Sequence, residues 1–267
     1  MCENNVAGMQ TYEGKVLPLP IPEEELWKLD QEVLTPAIHL EPIREILPEI
    51  NIVPDVKDME IPIIAGITLY SYLNFFNALV SVPAIDIYIN GKKVVSDLKY
   101  SEFTEYYLVF PGYYRIQIFE AGKTEDEFST TVINLIGYRI YTVTISGLED
   151  HACLLLVNDC IYPVPEDYAY LRFVQISPNA PLLKVYFDDN LVLTELDYRE
   201  ISRYLSTTAQ VHDITFRDYI SDHILLEVHN FSMENETAYT AYTLGDFFSE
   251  EGLQIVIAKD GISHLTF

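Results

Sequence analysis

From residue 69 onward the chain runs in short stretches where apolar and polar positions alternate, broken by Gly, Asn, Asp or Pro. Alternation with a period of two places one face of a strand inward and the other outward, so the pattern predicts β-strands. In the first half they are predicted at 69–76, 84–89, 92–95, 104–110, 113–120, 127–133, 140–146 and 152–157. Asn90-Gly91 offers the two positive-φ positions of a tight hairpin, and Asp188-Asp189, followed by Asn190, takes that place in the second half. Seven or eight such strands in about 90 residues predict an antiparallel, immunoglobulin-like β-sandwich.

The second half repeats the first. At an offset of 98, residues 72–106 lie on 170–204 without a gap, with ten identities in 35 positions: Tyr72/Tyr170, Leu73/Leu171, Phe75/Phe173, Pro83/Pro181, Tyr88/Tyr186, Val94/Val192, Leu98/Leu196, Tyr100/Tyr198, Glu102/Glu200 and Tyr106/Tyr204. Further on, an offset of 101 pairs Tyr138 with Tyr239, Tyr141 with Tyr242, Thr142 with Thr243 and Asp159 with Asp260. The second copy is therefore expected to carry three extra loop residues. The reading is all-β: two tandem sandwiches over 66–162 and 163–267, meeting near Pro163 and Pro165, behind an extended arm over 1–65.

That arm holds eight of the 14 prolines. Proline at such density blocks long helices and leaves extended chain. A short helix starting at Pro22 and a turn over 42–47 are the expected exceptions. Apolar residues alternate with the prolines in LPLPIP, EINIVPDV and MEIPII, which suits a segment that lies on a surface rather than a free linker. Two receptors are open: the chain's own sandwiches, or a neighbouring copy to which the arm adds a strand. The interface candidates are Leu17, Leu19, Ile21, Ile50, Ile52, Val53, Ile61 and Ile63, with Cys2 as a thiol able to meet a neighbour.

Several stretches carry a resemblance to a known family. RFVQISPNAP at 172–181, followed by LLKVYFDD, is similar to the opening motif of the bacterial domain-of-unknown-function family 4397 (DUF4397). PGYYRIQIFEAG at 111–122 resembles that family's Pro-Gly turn and following strand, and DCIYPVP and AKDGISHLTF resemble duplicated members from spore-forming Firmicutes. The resemblance covers residues 67–267. The first copy, YLNFFNALVSVPAIDIYING, lacks the Ser-Pro-Asn core of the motif, and the second has TTAQVHDITF in place of the Pro-Gly turn. The resemblance implies a sandwich fold and an envelope- or spore-associated setting, with no catalytic residues to carry over.

Composition narrows the partners. With 16 Lys and Arg against 41 Asp and Glu the net charge is −25, a field that repels nucleic acid and anionic lipid. No apolar run reaches the roughly 18 residues a membrane helix needs. The start, MCENNVAGMQTYEGK, has no basic segment followed by an apolar core, so no secretory signal is expected, and the surface of a spore or cell would be reached without one; otherwise the chain stays in the cytoplasm. Cys153 and Cys160, seven positions apart on an extended run, are expected to stay unbridged.

Candidate chemistry is sparse. Neither a nucleophile elbow nor HExxH, a phosphate loop or a dinucleotide fingerprint is present. His151 with Cys153, and His223 with His229, lack a second pair at zinc spacing. The acids at Asp188, Asp189 and Asn190, and at Glu149 and Asp150, lack the alternation of a calcium loop. No cofactor is expected and the chain is read as non-enzymatic. Tyr100, Tyr106, Tyr198 and Tyr204 recur at matched places and are either core tyrosines with capping hydroxyls or a stacked platform for binding. The leading reading is a self-associating structural protein of a bacterial surface, of the spore-coat or spore-fibre kind, with the arm docked on a neighbouring copy. A carbohydrate- or protein-binding module of the envelope is the alternative.

Overall fold

The structure is a computed structural model and describes Leu17 and residues 70–80, 82–148, 151–263 and 265. The first repeat contains β1 (Ser71–Leu79), β2 (Ala84–Ile89), β3 (Lys92–Lys99), β4 (Tyr107–Val109), β5 (Gly112–Glu120), β6 (Ser129–Leu135), β7 (Ile140–Leu148) and β8 (His151–Asn158). The second contains β9 (Tyr168–Gln175), β10 (Leu183–Phe187), β11 (Asn190–Leu196), β12 (Leu205–Thr208), β13 (Val211–Asp218), β14 (Ile224–Ser232), β15 (Thr237–Leu244) and β16 (Gln254–Lys259). Among the described residues no helix is long and apolar enough to cross a membrane.

Each repeat is a sandwich of two four-stranded sheets. The inner sheets run β4-β1-β7-β8 and β12-β9-β15-β16; the outer sheets run β3-β2-β5-β6 and β11-β10-β13-β14. The expectation of a purely antiparallel sandwich needs one correction. β1 pairs with β7, and β9 with β15, in parallel. A parallel pair needs a long crossover, and here it is the excursion through the outer sheet that separates the two strands. The Asn90-Gly91 turn has φ of 52° and 77°, and Asp188-Asp189 has 47° and 62°, the left-handed pair that a two-residue hairpin demands.

Register corrects the repeat alignment. Asn74 faces Thr142 across β1 and β7, and Arg172 faces Thr240 across β9 and β15, so Thr142 corresponds to Thr240 and Tyr141 to Tyr239. The hydroxyls agree: Tyr141 accepts from Ile136 N and Tyr239 from Glu234 N, both at 3.0 Å. The offset therefore stays at 98 through β15. It becomes 101 only across the turn between β15 and β16, which holds the three extra residues, so that Thr142 faces Val157 while Thr240 faces Ala258. Of the pairs placed at 101, Asp159/Asp260 stands, and those of Tyr138, Tyr141 and Thr142 do not.

The expected strand at 104–110 shortens to β4. Thr104 leaves the ladder because its Oγ1 accepts from Phe75 N at 3.0 Å while its own N donates to Phe75 O at 2.9 Å. Ser202 repeats the side-chain bond on Phe173 N at 2.8 Å.

Strands β1, β7 and β15 are buried at nearly every position, and β9 at all but its first. A sandwich strand with one wet face cannot look like this. Alternate residues have two destinations. Leu73, Phe75, Tyr141 and Val143 enter the first sandwich core, and Leu171, Phe173, Tyr239 and Ala241 the second. The intervening Phe76, Ala78, Val174, Tyr242 and Leu244, with Leu155 and Val157, form a third core between the repeats. The inner sheets thus stack face to face, making four layers. Phe76 sits at its centre, stacked on Phe103 at 4.0 Å and tilted to Tyr242 at 5.1 Å.

Each repeat alone would expose this inner apolar face, so a fragment of residues 66–162 is expected to dimerise or aggregate, as sedimentation at matched salt would reveal. In the full chain, Phe76→Ala should cost about 3 to 5 kcal/mol by denaturant titration; a monomeric, soluble fragment would refute the shared core.

Candidate functional site

Toward one end of the shared core the buried face turns polar. Asp159 and Asp260 directly follow β8 and β16, each anchored because its N donates to the neighbouring strand, at Ile140 O (2.9 Å) and Ala238 O (2.8 Å). Both aspartates are almost fully buried, as is Arg172 on β9. The guanidinium lies between them, with Nη2 at 3.2 Å from Asp159 Oδ1 and 3.7 Å from Asp260 Oδ2. Its Nε donates to Thr240 Oγ1 (2.8 Å), its Nη1 to Asn158 O (2.5 Å), and its plane rests over the Tyr204 ring at 4.6 Å.

The carboxylates are hydrogen-bonded in parallel fashion. Tyr106 donates to Asp159 Oδ2 at 2.7 Å, and Tyr204 donates to Asp260 Oδ2. Thr142 donates to Asp159 at 3.2 Å, and Thr240 to Asp260 Oδ1 at 2.7 Å. Cys160 N adds a bond to Asp260 Oδ2 at 2.9 Å.

Two carboxylates share one guanidinium, so the site holds more acid than base. Burial, and then the Asp260 charge, push the Asp159 carboxyl up to about 7 despite Arg172, Tyr106 and Thr142. Burial likewise raises the phenols of Tyr106 and Tyr204, which keeps them neutral and donating. The Cys160 thiol is pushed up to about 12 by burial, so it is protonated and inert at neutral pH.

A cavity of about 450 Å³ opens beside the cluster, lined among others by Asn74, Tyr106, Thr142, Asp159, Lys259 and Asp260. Asn74 is only 4% exposed and its Oδ1 has no hydrogen-bond partner among the described residues.

The four tyrosines singled out in sequence do not form an open platform. Tyr106 and Tyr204 belong to the buried cluster. Tyr100 donates across the interface to Gln254 Oε1 at 3.3 Å, and Tyr198 lies 3.1 Å from Ser146 Oγ of the first repeat. Tyr100 and Tyr198 thus join the repeats, whereas Tyr106 and Tyr204 each bond the aspartate of their own repeat. Of the arm candidates, Leu17 is buried in the first sandwich core of its own chain, and its N donates to Leu108 O of β4 at 3.1 Å. Cys2, Leu19, Ile21, Ile50, Ile52, Val53, Ile61 and Ile63 lie outside the described residues, as do the expected arm helix and turn.

The acidic hairpin tip is engaged internally. Asp188 Oδ1 accepts from Asp213 N at 2.9 Å and its Oδ2 lies 2.6 Å from His212 Nδ1. Glu149 and Asp150 lie outside the described residues. Among the described residues no group of three or more His, Cys, Asp and Glu converges as metal ligands, and Cys153 and Cys160 are both free.

Sequence reasoning missed Arg172, Asn74 and the threonines. The signals for the cluster were Tyr106 matched with Tyr204, and Asp159 matched with Asp260, an acid kept in both copies just beyond an apolar strand.

Fold and site together define a duplicated β-sandwich protein whose halves are locked by a buried ionic core. The chain belongs to the family described as Domain of unknown function (DUF4397), whose profile matches residues 71–186 and 169–266. No curated protein matches it. Among solved structures it is similar to a carbohydrate-binding module of family CBM26 from Eubacterium rectale Amy13K, solved with maltoheptaose, at 8% identity over 72% of this chain and 97% of that one, TM-score 0.24. It is also similar to the fimbrial anchor protein Mfa2 from Porphyromonas gingivalis, at 9% identity over 72% and 98%, TM-score 0.22. Neither likeness bears on the site.

The Asp159 value sets a pH signature. Between about pH 4 and 7 the folded chain holds a proton on this carboxyl that the unfolded chain has released, so its contribution to stability falls as pH rises through that window. Asp159→Asn removes the effect. The melting temperature of the variant relative to wild type should therefore climb steadily from pH 4 to 7; a difference flat with pH would show that Asp159 titrates normally.

Proposed function

We propose that this chain is a non-enzymatic structural protein of a bacterial surface, of the spore-coat or spore-appendage kind, that self-associates by docking its N-terminal arm on a sheet edge of a neighbouring copy. The observation that carries this reading is the seat of Leu17. β4 is the edge strand of the first inner sheet, and it accepts arm backbone through Leu108 O while the sandwich core takes the Leu17 side chain. Those bonds are the same whichever chain supplies the arm. Within one chain they close a monomer; exchanged between copies they link successive molecules, and a rotation that does not close gives a fibre. The catalytic motifs missing from the sequence, and a polar cluster occupied in holding the repeats together, support a structural rather than a chemical role.

A second reading rests on the far end of the second sandwich. Ile220 and Phe248 are 91% and 80% exposed. Their loops meet the segment before β10, Tyr219 N donating to Leu182 O (2.9 Å) and Phe247 N to Asn179 Oδ1 (3.0 Å). Paired exposed apolar side chains at a loop end suit a carbohydrate- or protein-binding module.

Deleting residues 1–65 separates the two. Arm-mediated assembly predicts that light scattering at matched salt shows association for the full chain and none for the truncation, with Leu17→Asp resembling the truncation. Equal association of all three would overturn the reading. A binding module would instead lose partner binding in an Ile220→Ser/Phe248→Ser variant and leave association unchanged.

A further inference from the structure

The repeats place equivalent residues around the shared polar cluster, with one decisive exception. Arg172 of β9 corresponds to Asn74 of β1, because each faces the equivalent threonine, Thr240 or Thr142. In the second repeat the guanidinium meets Thr240 Oγ1, Asn158 O, Asp159, Asp260 and the Tyr204 ring. Exchanging the repeats turns that set into Thr142, Lys259, Asp260, Asp159 and Tyr106. All five line the cavity beside Asn74. The cavity is therefore the counterpart of the space that the Arg172 side chain fills in the other half.

Its chemistry matches. Asn74 Oδ1 is a buried acceptor lacking a donor among the described residues, and a guanidinium is a planar fork of donors with no acceptor. The ionisable groups lining the cavity are Asp159, Asp260 and Glu105 against Lys259, with Arg172 paired to the two aspartates outside the lining. Lys259 has its ammonium drawn away, 2.7 Å from Glu234 Oε2. At the mouth Glu105 stands where the second repeat has Arg203, so the divergence of the two copies turned this side toward cations twice. Phe103 and Tyr242 give the remaining wall an aromatic face suited to a flat cation.

We propose that the cavity beside Asn74 binds an alkylguanidinium group, seated as Arg172 is seated in the other repeat. The group belongs either to a small molecule or to the side chain of an arginine in a peptide.

Calorimetry on the full chain with ethylguanidinium, and with an N-acetylated, C-amidated Gly-Arg-Gly peptide, tests this and separates the sources. Ethylguanidinium should bind at one site per chain while ethylurea, equal in shape but neutral, does not. Equal affinity for the peptide assigns the site to side chains as well as free molecules; binding of ethylguanidinium alone confines it to small molecules. Asn74→Arg should fill the cavity, raise the melting temperature and abolish binding. Asn74→Leu and Thr142→Val each keep the core closed but remove one acceptor, and each should weaken binding about tenfold or more. Absence of saturable binding to the wild-type chain, or binding that survives in both acceptor variants and matches ethylurea, would overturn the proposal.

Discussion

Two carboxylates and a guanidinium buried between the repeats are the constraint around which the rest is arranged. Buried ion pairs seldom add net stability, because desolvation offsets most of the attraction. Stability comes instead from the apolar part of the interface, where Phe76, Val174, Leu155 and Tyr242 are removed from water. What the ions contribute is position. Arg172 reaches Asn158 O, Asp159 and Asp260 only in one alignment of β9 against the end of β8. A slip of one residue would reverse the faces of β9, sending the charge into the second sandwich core and Phe173 into the interface. The apolar core holds the inner sheets together, and the ionic core says where.

Duplication explains why the arrangement is nearly two-fold, and drift explains where it is not. Some replacements keep a role with new atoms. The Tyr114 hydroxyl donates to Phe110 O at 2.8 Å; His212, at the equivalent place, puts Nε2 2.9 Å from Thr208 O. Asn90 Oδ1 and Asp188 Oδ1 each accept from the backbone N of the facing strand at 2.9 Å. Asn74 is a different kind of change, since an amide cannot span the distance a guanidinium covers. There the partners stayed and the side chain between them shortened.

Much of the fold could be read from the residues. Alternation located nearly every strand of the first repeat, and Asn90-Gly91 and Asp188-Asp189 gave the hairpins through their tolerance of positive φ. The two-sided burial of the inner strands was harder to see. In SYLNFFNAL and TAYTAYTL the polar residues are Asn, Ser and Thr beside Tyr, small uncharged side chains that pass for a wet face in the sequence. Only the third dimension shows that this face meets the other repeat. Arg172 was hidden for the same reason, lying at an alternate position where solvent is the ordinary expectation. The repeat misled beyond residue 136, where tyrosines and threonines recur at close spacing, and sequence matching settled on an offset that the ladders exclude.

The four-layer stack also limits how this protein can meet others. Both faces of the inner sheets are covered, so association must use outer faces, loop ends or sheet edges. The outer faces carry charged residues such as Lys92, Lys93 and Lys99 on β3 and Glu227 and His229 on β14, which favour water. Edges are open to backbone pairing, and a sheet edge left bare is a liability that proteins usually cover. At β4 the cover is the arm's own Leu17, with one hydrogen bond and one buried side chain. Burying a leucine gives about 1.5 to 3 kcal/mol, enough to hold a segment and modest enough to release it. In a chain of net charge −25 long-range forces keep copies apart. Any exchange of arms then depends on this short-range contact and on the salt that screens the charge.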